Sequence, residues 1–228
     1  MPARKAERTR QGKQAILIVD DHPMLRRGLT ALIESEPDLA VCGEAATAEA
    51  ALQAIRQSKP DLVIVDLALE GADGLALVKK IKVQHPKTPA LVISAHDESL
   101  YAERAMRAGA RGYVNKQQLA DTVLIAIRCV LNDEMYLSEK MGARFAAKFL
   151  GARAQQDDSP LAVLTDNALE VFRLIGQGES SRQIAQRLHL SIKTIESYRQ
   201  QIKQKLTLES GAELVKRATD WVETGRTS

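Results

Sequence analysis

Ala15-Ile-Leu-Ile-Val-Asp20-Asp21 is the stretch that decides the fold, because a short apolar run ends there in two carboxylates. Three more runs have the same form: Leu62-Val-Ile-Val-Asp66, Ala90-Leu-Val-Ile-Ser94 and Gly112-Tyr-Val-Asn-Lys116. Short β-branched runs that are apolar on both faces are typical of strands buried inside a parallel sheet. A fifth, weaker strand candidate is Leu39-Ala-Val-Cys-Gly43.

Helical patterns separate these strands, at residues 24–34, 48–58, 75–85, 100–107 and 119–131. Strands that alternate with helices indicate βαβ units, a parallel sheet and helices on both of its faces. We therefore predict an α/β domain, a doubly wound parallel five-stranded sheet, over residues 15–132.

The second half of the chain has a different pattern, because no strand is predicted after residue 132. One helix is predicted at 138–150, and the polar residues after it, which end at Pro160, are typical of a linker. Four helices follow, at about 166–177, 181–188, 193–206 and 212–223. The predicted organisation is a basic, disordered arm at 1–14, the α/β domain, a linker with a helix at 133–160 and an all-α domain at 161–228.

Composition narrows the function classes. Of 228 residues, 45% are hydrophobic and 27% charged, so the chain can bury a core. It has no apolar run of about 18 residues, which a membrane-spanning helix needs, and its polar N-terminus does not resemble a signal peptide. Cys42 and Cys129 match no metal or disulfide spacing. We expect a cytoplasmic protein.

The net charge varies along the chain: it is +4 for residues 1–14, −4 for 15–135 and +2 for 160–228. This distribution is a weak indication that the last segment binds nucleic acid.

Polar side chains stand where the four strong strands end: Asp20 and Asp21, Asp66, Ser94 and Lys116. The carboxyl ends of parallel strands meet at one edge of a sheet, so these groups should converge on one cleft. Clustered carboxylates repel one another, and Mg²⁺ relieves the repulsion through oxygen ligands. Asp66 could then attack phosphorus, while Lys116 and Ser94 stabilise the phosphoryl oxygens. Taken singly, an Asp after a strand is more often a helix N-cap, as Asp20 or Asp21 could be for the helix after Pro23.

The segment 181–206 has the pattern of a helix-turn-helix, with Ser191 as the expected N-cap of the second helix. An apolar stripe, Ile195, Tyr198, Ile202 and Leu206, occupies one face of that helix. The opposite face carries Thr194, Glu196, Ser197, Arg199, Gln200, Lys203 and Gln204, which suit phosphates and base edges. An ordinary solvated face or a protein-binding helix pair would give the same pattern.

Residues 15–132 resemble the receiver domain of bacterial two-component response regulators, a flavodoxin-like fold. The resemblance rests on Val19-Asp-Asp-His-Pro-Met-Leu-Arg-Arg-Gly-Leu29 and on the stretches around Asp66, Ser94 and Lys116. It implies that Asp66 accepts phosphate from a sensor histidine kinase. It also implies an Mg²⁺ site made by Asp21, Asp66 and the Ala68 backbone carbonyl, with Asp20 acting mainly through water. Lys116 would pair with the phosphate, Ser94 would move to hydrogen-bond it, and Tyr113 would be the aromatic switch. Glu70 stands where the family usually has Pro.

Residues 161–223 resemble the DNA-binding domain of the NarL/FixJ (LuxR-type) regulators. Matching stretches include Leu174-Ile-Gly-Gln-Gly178, Ile184-Ala-Gln-Arg-Leu188 and Lys193-Thr-Ile-Glu196. The resemblance makes 193–206 the recognition helix and the last helix a dimerisation helix. It places Glu196, Ser197 and Gln200 at bases, and Lys193, Thr194, Tyr198, Arg199 and Lys203 among the DNA-contacting residues. The family favours Gly, with positive φ, at the helix end, where this chain has Thr207.

Together these features predict a phosphorylation-controlled, DNA-binding transcriptional regulator and not an enzyme. The expected cofactor is Mg²⁺, and the expected partners are a sensor histidine kinase, double-stranded promoter DNA and a second copy of the chain on activation, with no membrane. Two alternatives stay open: a Mg²⁺-dependent phosphohydrolase or phosphotransferase with an Asp nucleophile, and a regulator that acts without phosphorylation. Phosphorylation could either free the recognition helix or pair two chains.

Overall fold

The structure is a computed structural model that describes residues 12–69, 72–95, 98–149, 160–188 and 190–224. At residues 72, 119–121, 148–149 and 162 it describes the backbone only. Most of the predicted basic arm, Glu70 and most of the predicted polar linker therefore lie outside the described residues. The chain divides into two compact units, Met1–Gly142 and Ala143–Ser228. Among the described residues, no helix combines the length and apolar character needed to cross a bilayer.

A parallel five-stranded sheet forms the centre of the first unit, as the sequence predicts. Its strands are β1 (Gln14–Val19), β2 (Leu39–Ala45), β3 (Leu62–Asp66), β4 (Ala90–Ser94) and β5 (Gly112–Asn115). They lie in the order β2-β1-β3-β4-β5. The chain therefore changes direction across the sheet between β1 and β3. In open α/β sheets, ligands bind outside the carboxyl ends of strands at such a switch point.

Four helices connect the strands of the first unit in the predicted alternation, and two more follow β5. They are α1 (Pro23–Glu34), α2 (Ala48–Ser58), α3 (Gly74–Gln84), α4 (Glu98–Ala108), α5 (Leu119–Leu131) and α6 (Glu139–Phe149), which continues past Gly142. Thr47 caps α2 by accepting a hydrogen bond from the backbone of Ala50. Branched side chains of the strands, such as Ile18 and Ile64, pack with Val123 and Ile127 of α5 in the core.

A two-residue antiparallel hairpin, Ala68–Leu69 with Ala72–Asp73, follows β3 and was not predicted. Gly74 holds it against the end of β3, since the Gly74 amide donates to the carbonyl of Leu67 over 3.1 Å. A Cβ at position 74 would lie 2.3 Å from the carbonyl oxygen of Asp66. A side chain here would therefore push the loop away from the acidic residue that ends β3.

The second unit contains the four predicted helices: α7 (Asp166–Gly176), α8 (Ser181–Arg187), α9 (Ile192–Lys205) and α10 (Gly211–Thr224). Phe172 of α7 packs on Trp221 of α10, with ring centroids 5.9 Å apart. Gly176 lets these two helices approach closely, because a Cβ there would lie 2.3 Å from the carbonyl oxygen of Ala218. The helix pair α8–α9 thus rests on a base formed by α7 and α10.

Both ends of α9 are set by local hydrogen bonds. The Ser191 side chain accepts from the backbone N–H of Thr194 over 3.1 Å, which confirms the expected N-cap. At the other end Thr207 adopts φ +56°. Its backbone N–H donates to Gln204 and that of Leu208 donates to Lys203, which is the Schellman arrangement. The positive φ expected where the family has Gly is therefore present, although this residue is β-branched.

Candidate functional site

Two acidic residues stand side by side where the neighbouring strands β1 and β3 end. Asp66 is the last residue of β3, and Asp20 follows the last residue of β1. Both are almost fully buried, with 1% and 2% of their surface exposed. Asp20 Oδ1 accepts a 2.7 Å hydrogen bond from the backbone of His22, which turns the chain out of the strand. The predicted convergence at this edge of the sheet is thus present.

Lys116 joins the two carboxylates. Its Nζ lies 2.8 Å from Asp20 Oδ2 and 2.7 Å from Asp66 Oδ2, although the residues are far apart in sequence. β5 ends one residue earlier than the sequence suggests, at Asn115, and Lys116 opens a 3₁₀ turn that directs its side chain across the strand ends. The partly exposed side chains of Asp21 and Lys116 form the solvent side of this cluster.

Burial and charge act against each other within the cluster. Burial raises the pKa of Asp66, and the neighbouring Asp20 carboxylate adds to the rise, whereas Lys116 opposes it. Burial disfavours the charged form of Lys116, but the two carboxylates outweigh that penalty and raise the pKa of the ammonium group. Lys116 therefore stays charged at neutral pH. The three carboxylates of the cluster still exceed the positive charge of this single lysine.

The cluster has the donor set that a hard divalent cation needs. Ligand atoms of Asp20, Asp21, His22 and Asp66 all lie within 4.8 Å of one another. Oδ1 of Asp21 lies 2.6 Å from Nδ1 of His22. Carboxylate oxygens suit Mg²⁺, whereas imidazole suits softer metals. The acidic cluster of Asp20, Asp21 and Asp66 is therefore compatible with Mg²⁺.

Three further residues, Ala68, Ser94 and Tyr113, were expected at the site. Ala68 follows Asp66 closely, and its backbone N–H donates to Asp66 Oδ1 over 3.2 Å. Ser94 ends β4, next to β3, and is fully buried. Tyr113 lies on β5 and is also buried, with 1% of its surface exposed. Neither Ser94 nor Tyr113 points into solvent in this structure.

The α8–α9 pair presents the surface that the sequence predicts. Ile195 and Ile202 of α9 are buried, and Tyr198 is partly buried. The candidate DNA-contacting residues lie on the remaining surface: Lys193, Glu196, Ser197 and Gln200 are exposed, and Thr194, Arg199 and Lys203 are partly exposed. Apart from Ile192, which is 50% exposed, the exposed face of α9 is polar.

Several contacts of the two sites were missed by the sequence analysis. Arg26 of α1 donates to the backbone carbonyl of Asp20 over 2.7 Å. Ser181 of α8 donates to the Glu196 carboxylate over 2.6 Å, and Asn167 of α7 donates to the Tyr198 hydroxyl over 3.2 Å. Only the tertiary fold brings these pairs together, so no spacing in the sequence marks them.

Two family models match the chain. The response regulator receiver domain matches residues 16–128, and the luxR family of bacterial regulatory proteins matches residues 162–218. The oxygen regulatory protein NreC of Staphylococcus carnosus (strain TM300) is 33% identical over 207 residues, which cover 89% of this chain and 95% of that protein. NreC of Staphylococcus haemolyticus (strain JCSC1435) is equally similar, with the same identity of 33% and the same shares of 89% and 95%.

Solved structures with similar folds come from the same group. RcsB from Salmonella enterica serovar Typhimurium, bound to promoter rprA in the presence of the phosphomimetic BeF3−, is 25% identical with a TM-score of 0.65. That similarity covers 90% of this chain and 97% of the RcsB chain. A LuxR-family two-component response regulator from Aurantimonas sp. SI85-9A1 is 33% identical with a TM-score of 0.56, over 60% of this chain and 99% of that chain.

Proposed function

Because the chain belongs to the response regulators that join a receiver domain to a LuxR-family DNA-binding domain, and is thus a phosphorylation-controlled DNA-binding regulator, we propose which of its residues perform each step. Asp66 accepts the phosphoryl group, and the polar face of α9 reads DNA. The observation that carries this assignment is Lys116 Nζ, which bridges Asp20 and Asp66 where adjacent parallel strands end.

The chemistry at Asp66 follows from its surroundings. A carboxylate oxygen of Asp66 attacks phosphorus, an acyl phosphate forms, and the bond between phosphorus and the donor breaks. Lys116 already lies 2.7 Å from that carboxylate, so it can move to the new phosphoryl oxygens and neutralise part of their charge. The backbone N–H of Ala68 holds the other Asp66 oxygen in place meanwhile.

Asp21, Asp66 and the Ala68 carbonyl would hold Mg²⁺, with Asp20 contributing through water. The ion would supply positive charge for the phosphoryl oxygens and lower the repulsion within the acidic cluster. The ligand atoms of the three acidic residues, which lie within 4.8 Å of one another, support this assignment. His22 stays a turn residue in this proposal, because its side chain is 63% exposed.

Ser94 and Tyr113 are the residues that respond to the phosphate in this proposal. A phosphoryl group adds about −1.5 to −2 charge at Asp66, and the Ser94 hydroxyl, at the end of the adjacent strand β4, would move towards it. Tyr113 follows on the next strand, β5.

We assign the receiver to residues 15–132, the linker with a helix to 133–160 and the DNA-binding domain to 161–228.

DNA binding is assigned to α9 by its exposure and charge. Lys193, Arg199 and Lys203 would contact phosphates, together with Thr194 and Tyr198. Gln200, Glu196 and Ser197 would face base edges. The Ser191 cap turns the start of α9 outward next to α8, as in a helix-turn-helix.

The partners follow from these two activities. A sensor histidine kinase would supply the phosphoryl group, since the receiver domain implies one. Double-stranded promoter DNA would bind a homodimer whose recognition helices meet half-sites one helical turn apart. We place both events in the cytoplasm, where promoter DNA is accessible, and we assign no catalytic turnover beyond gain and loss of phosphate at Asp66.

One experiment tests both activities in the full chain. Wild type and Asp66→Asn are incubated with Mg²⁺ and phosphoramidate, a small phosphodonor, and then used to select fragments from a random DNA pool. We expect label on wild type alone, and tighter binding of the selected DNA after labelling. Many turnovers of the phosphodonor without stable label would favour a phosphohydrolase instead. Equal DNA binding with and without label would favour a regulator that acts without phosphorylation.

A further inference from the structure

The segment between the receiver and α6 is attached to the receiver at two places. Tyr136 lies beside β5, the edge strand: its N–H donates to the carbonyl of Arg111 and its carbonyl accepts from Tyr113, both over 3.0 Å. Ser138 contacts Glu98 at the start of α4, with its hydroxyl donating to Glu98 Oε2 over 2.9 Å. We call these contacts of residues 136–138 the linker clamp.

The first attachment is built into the sheet. Tyr136 forms a parallel bridge with Gly112, so it extends the edge of the sheet beside β5. A Cβ at Gly112 would lie 3.0 Å from both the Cβ and the carbonyl oxygen of Tyr136. A side chain at position 112 would therefore crowd the linker backbone and also Cδ1 of Leu91, which would lie 2.8 Å from the added Cβ. The N–H that Tyr136 satisfies belongs to Tyr113, the residue assigned above as the aromatic switch.

The second attachment reaches the first turn of α6. The Ser138 hydroxyl donates to Glu98 and accepts a 3.2 Å hydrogen bond from the backbone N–H of Met141, so it caps the helix. The backbone N–H of Ser138 also donates to Glu98 Oε1, over 3.4 Å. Glu98 in turn lies four residues after Ser94, the hydroxyl expected to move towards the phosphate. The Glu98 carboxylate therefore connects Ser138, the capping residue of α6, to the start of α4, the helix that follows β4.

We propose that Glu98 and Ser138 are positioning residues that, with the backbone of Tyr136, transmit the phosphorylation state of Asp66 to the first turn of α6. The proposal rests on the proposed function, because it needs Asp66 to accept phosphate and DNA binding to respond. Movement of Ser94 or repacking of Tyr113 alters one or both attachments of the clamp. The clamp contacts then differ between the two states, which is the condition for coupling two sites. Residues 143–149 of α6 belong to the second unit, which also carries the recognition helix.

The test uses the full chain and measures DNA affinity with and without phosphoramidate-driven labelling of Asp66. The quantity of interest is the ratio of the two affinities. We expect Ser138→Ala to lower this ratio about tenfold towards one, which corresponds to one lost hydrogen bond to a charged group. Glu98→Gln should lower it in the same direction, and the double variant should lower it no further than Ser138→Ala. Ser138→Thr keeps the hydroxyl and should keep the ratio.

Thr47→Ala is the matched control, since Thr47 caps α2 with the same chemistry away from the clamp. It should cost similar stability and leave the affinity ratio unchanged. Hydrogen exchange provides a second readout: labelling should change the exchange of the Met141 amide in wild type but not in Ser138→Ala. If Asp66 takes up phosphate and DNA affinity responds equally in wild type and both clamp variants, the clamp proposal is wrong and the proposed function stands. If wild type takes up no phosphate, or its DNA affinity does not respond, both are wrong.

Discussion

Thr207 is a residue that the surrounding structure holds in an unfavourable conformation. Its φ of +56° lies in the left-handed region, which β-branched residues rarely adopt. The conformation persists because the turn closes two hydrogen bonds at the end of α9 and brings Leu208 into the core, where 8% of it is exposed. Glycine would make the same turn without the clash of a Cβ, so Thr207→Gly should stabilise the second unit.

The size of the effect follows from two opposing contributions. A left-handed residue with a Cβ costs about 1–2 kcal/mol, and glycine costs about 0.5–1 kcal/mol through the greater freedom of the unfolded chain. The net gain should be about 0.5–1 kcal/mol, or roughly 4 °C in the unfolding midpoint of a domain of this size. Trp221 is the single tryptophan, and it is buried in the second unit, so its fluorescence follows this unit within the intact chain.

Two controls make the result specific to the backbone conformation. Thr207→Ala keeps a Cβ and should gain little. Lys59→Gly removes a Cβ at φ +47° in the first unit and should leave the Trp221 transition where it is. An unchanged or lower midpoint for Thr207→Gly would refute the reasoning, and so would an equal gain for Thr207→Ala.

Three further changes test other parts of the structure. Lys116→Met leaves two buried carboxylates without a cation and should destabilise the first unit by about 3 kcal/mol at neutral pH in urea unfolding. Burial already raises the pKa of Asp66, and this variant removes the cation that opposes the rise. The variant should therefore regain stability as the pH falls and Asp66 takes up a proton. Gly176→Ala brings a methyl group against the Ala218 carbonyl and should cost about 2 kcal/mol, followed by tryptophan fluorescence. Lys203→Ala should weaken binding about equally for all DNA sequences and reduce the slope of log affinity against log salt by about 1.

The pattern of apolar residues was sufficient to predict the five strands of the sheet and the helices of both units. The strands at 62–66 and 90–94 and the helices at 48–58 and 119–131 have the predicted bounds. The two strands are short, continuous apolar runs, and the two helices carry apolar side chains at the helical period. The two-residue hairpin after Asp66 was missed, because so short a ladder has no period. It depends instead on Gly74 packing against the end of β3.

The acidic cluster could be predicted for a topological reason. In a parallel sheet every strand delivers its last residue to the same edge, so Asp20, Asp66 and Lys116 needed no knowledge of side-chain contacts to be placed together. The contact of Arg26 with the Asp20 carbonyl has no such rule behind it. It depends on where α1 packs, which the pattern of α1 alone does not determine.

The linker clamp could be predicted only in part, and Gly112 shows why. A glycine that opens a strand is an unfavourable choice for the sheet, so its presence indicates that another backbone approaches there. The sequence therefore marks one side of the contact, but it does not say that Tyr136 is the other side.

Glu98 and Ser138 carry even less signal, since acidic and hydroxyl side chains are ordinary at helix starts. What distinguishes them is that Ser138 uses its hydroxyl twice, as a cap for α6 and as a donor to the residue that opens α4. A serine that only capped its own helix could be replaced by aspartate or asparagine. Aspartate at this position would place two carboxylates together, so we expect Ser138→Asp to weaken the clamp although it keeps the cap.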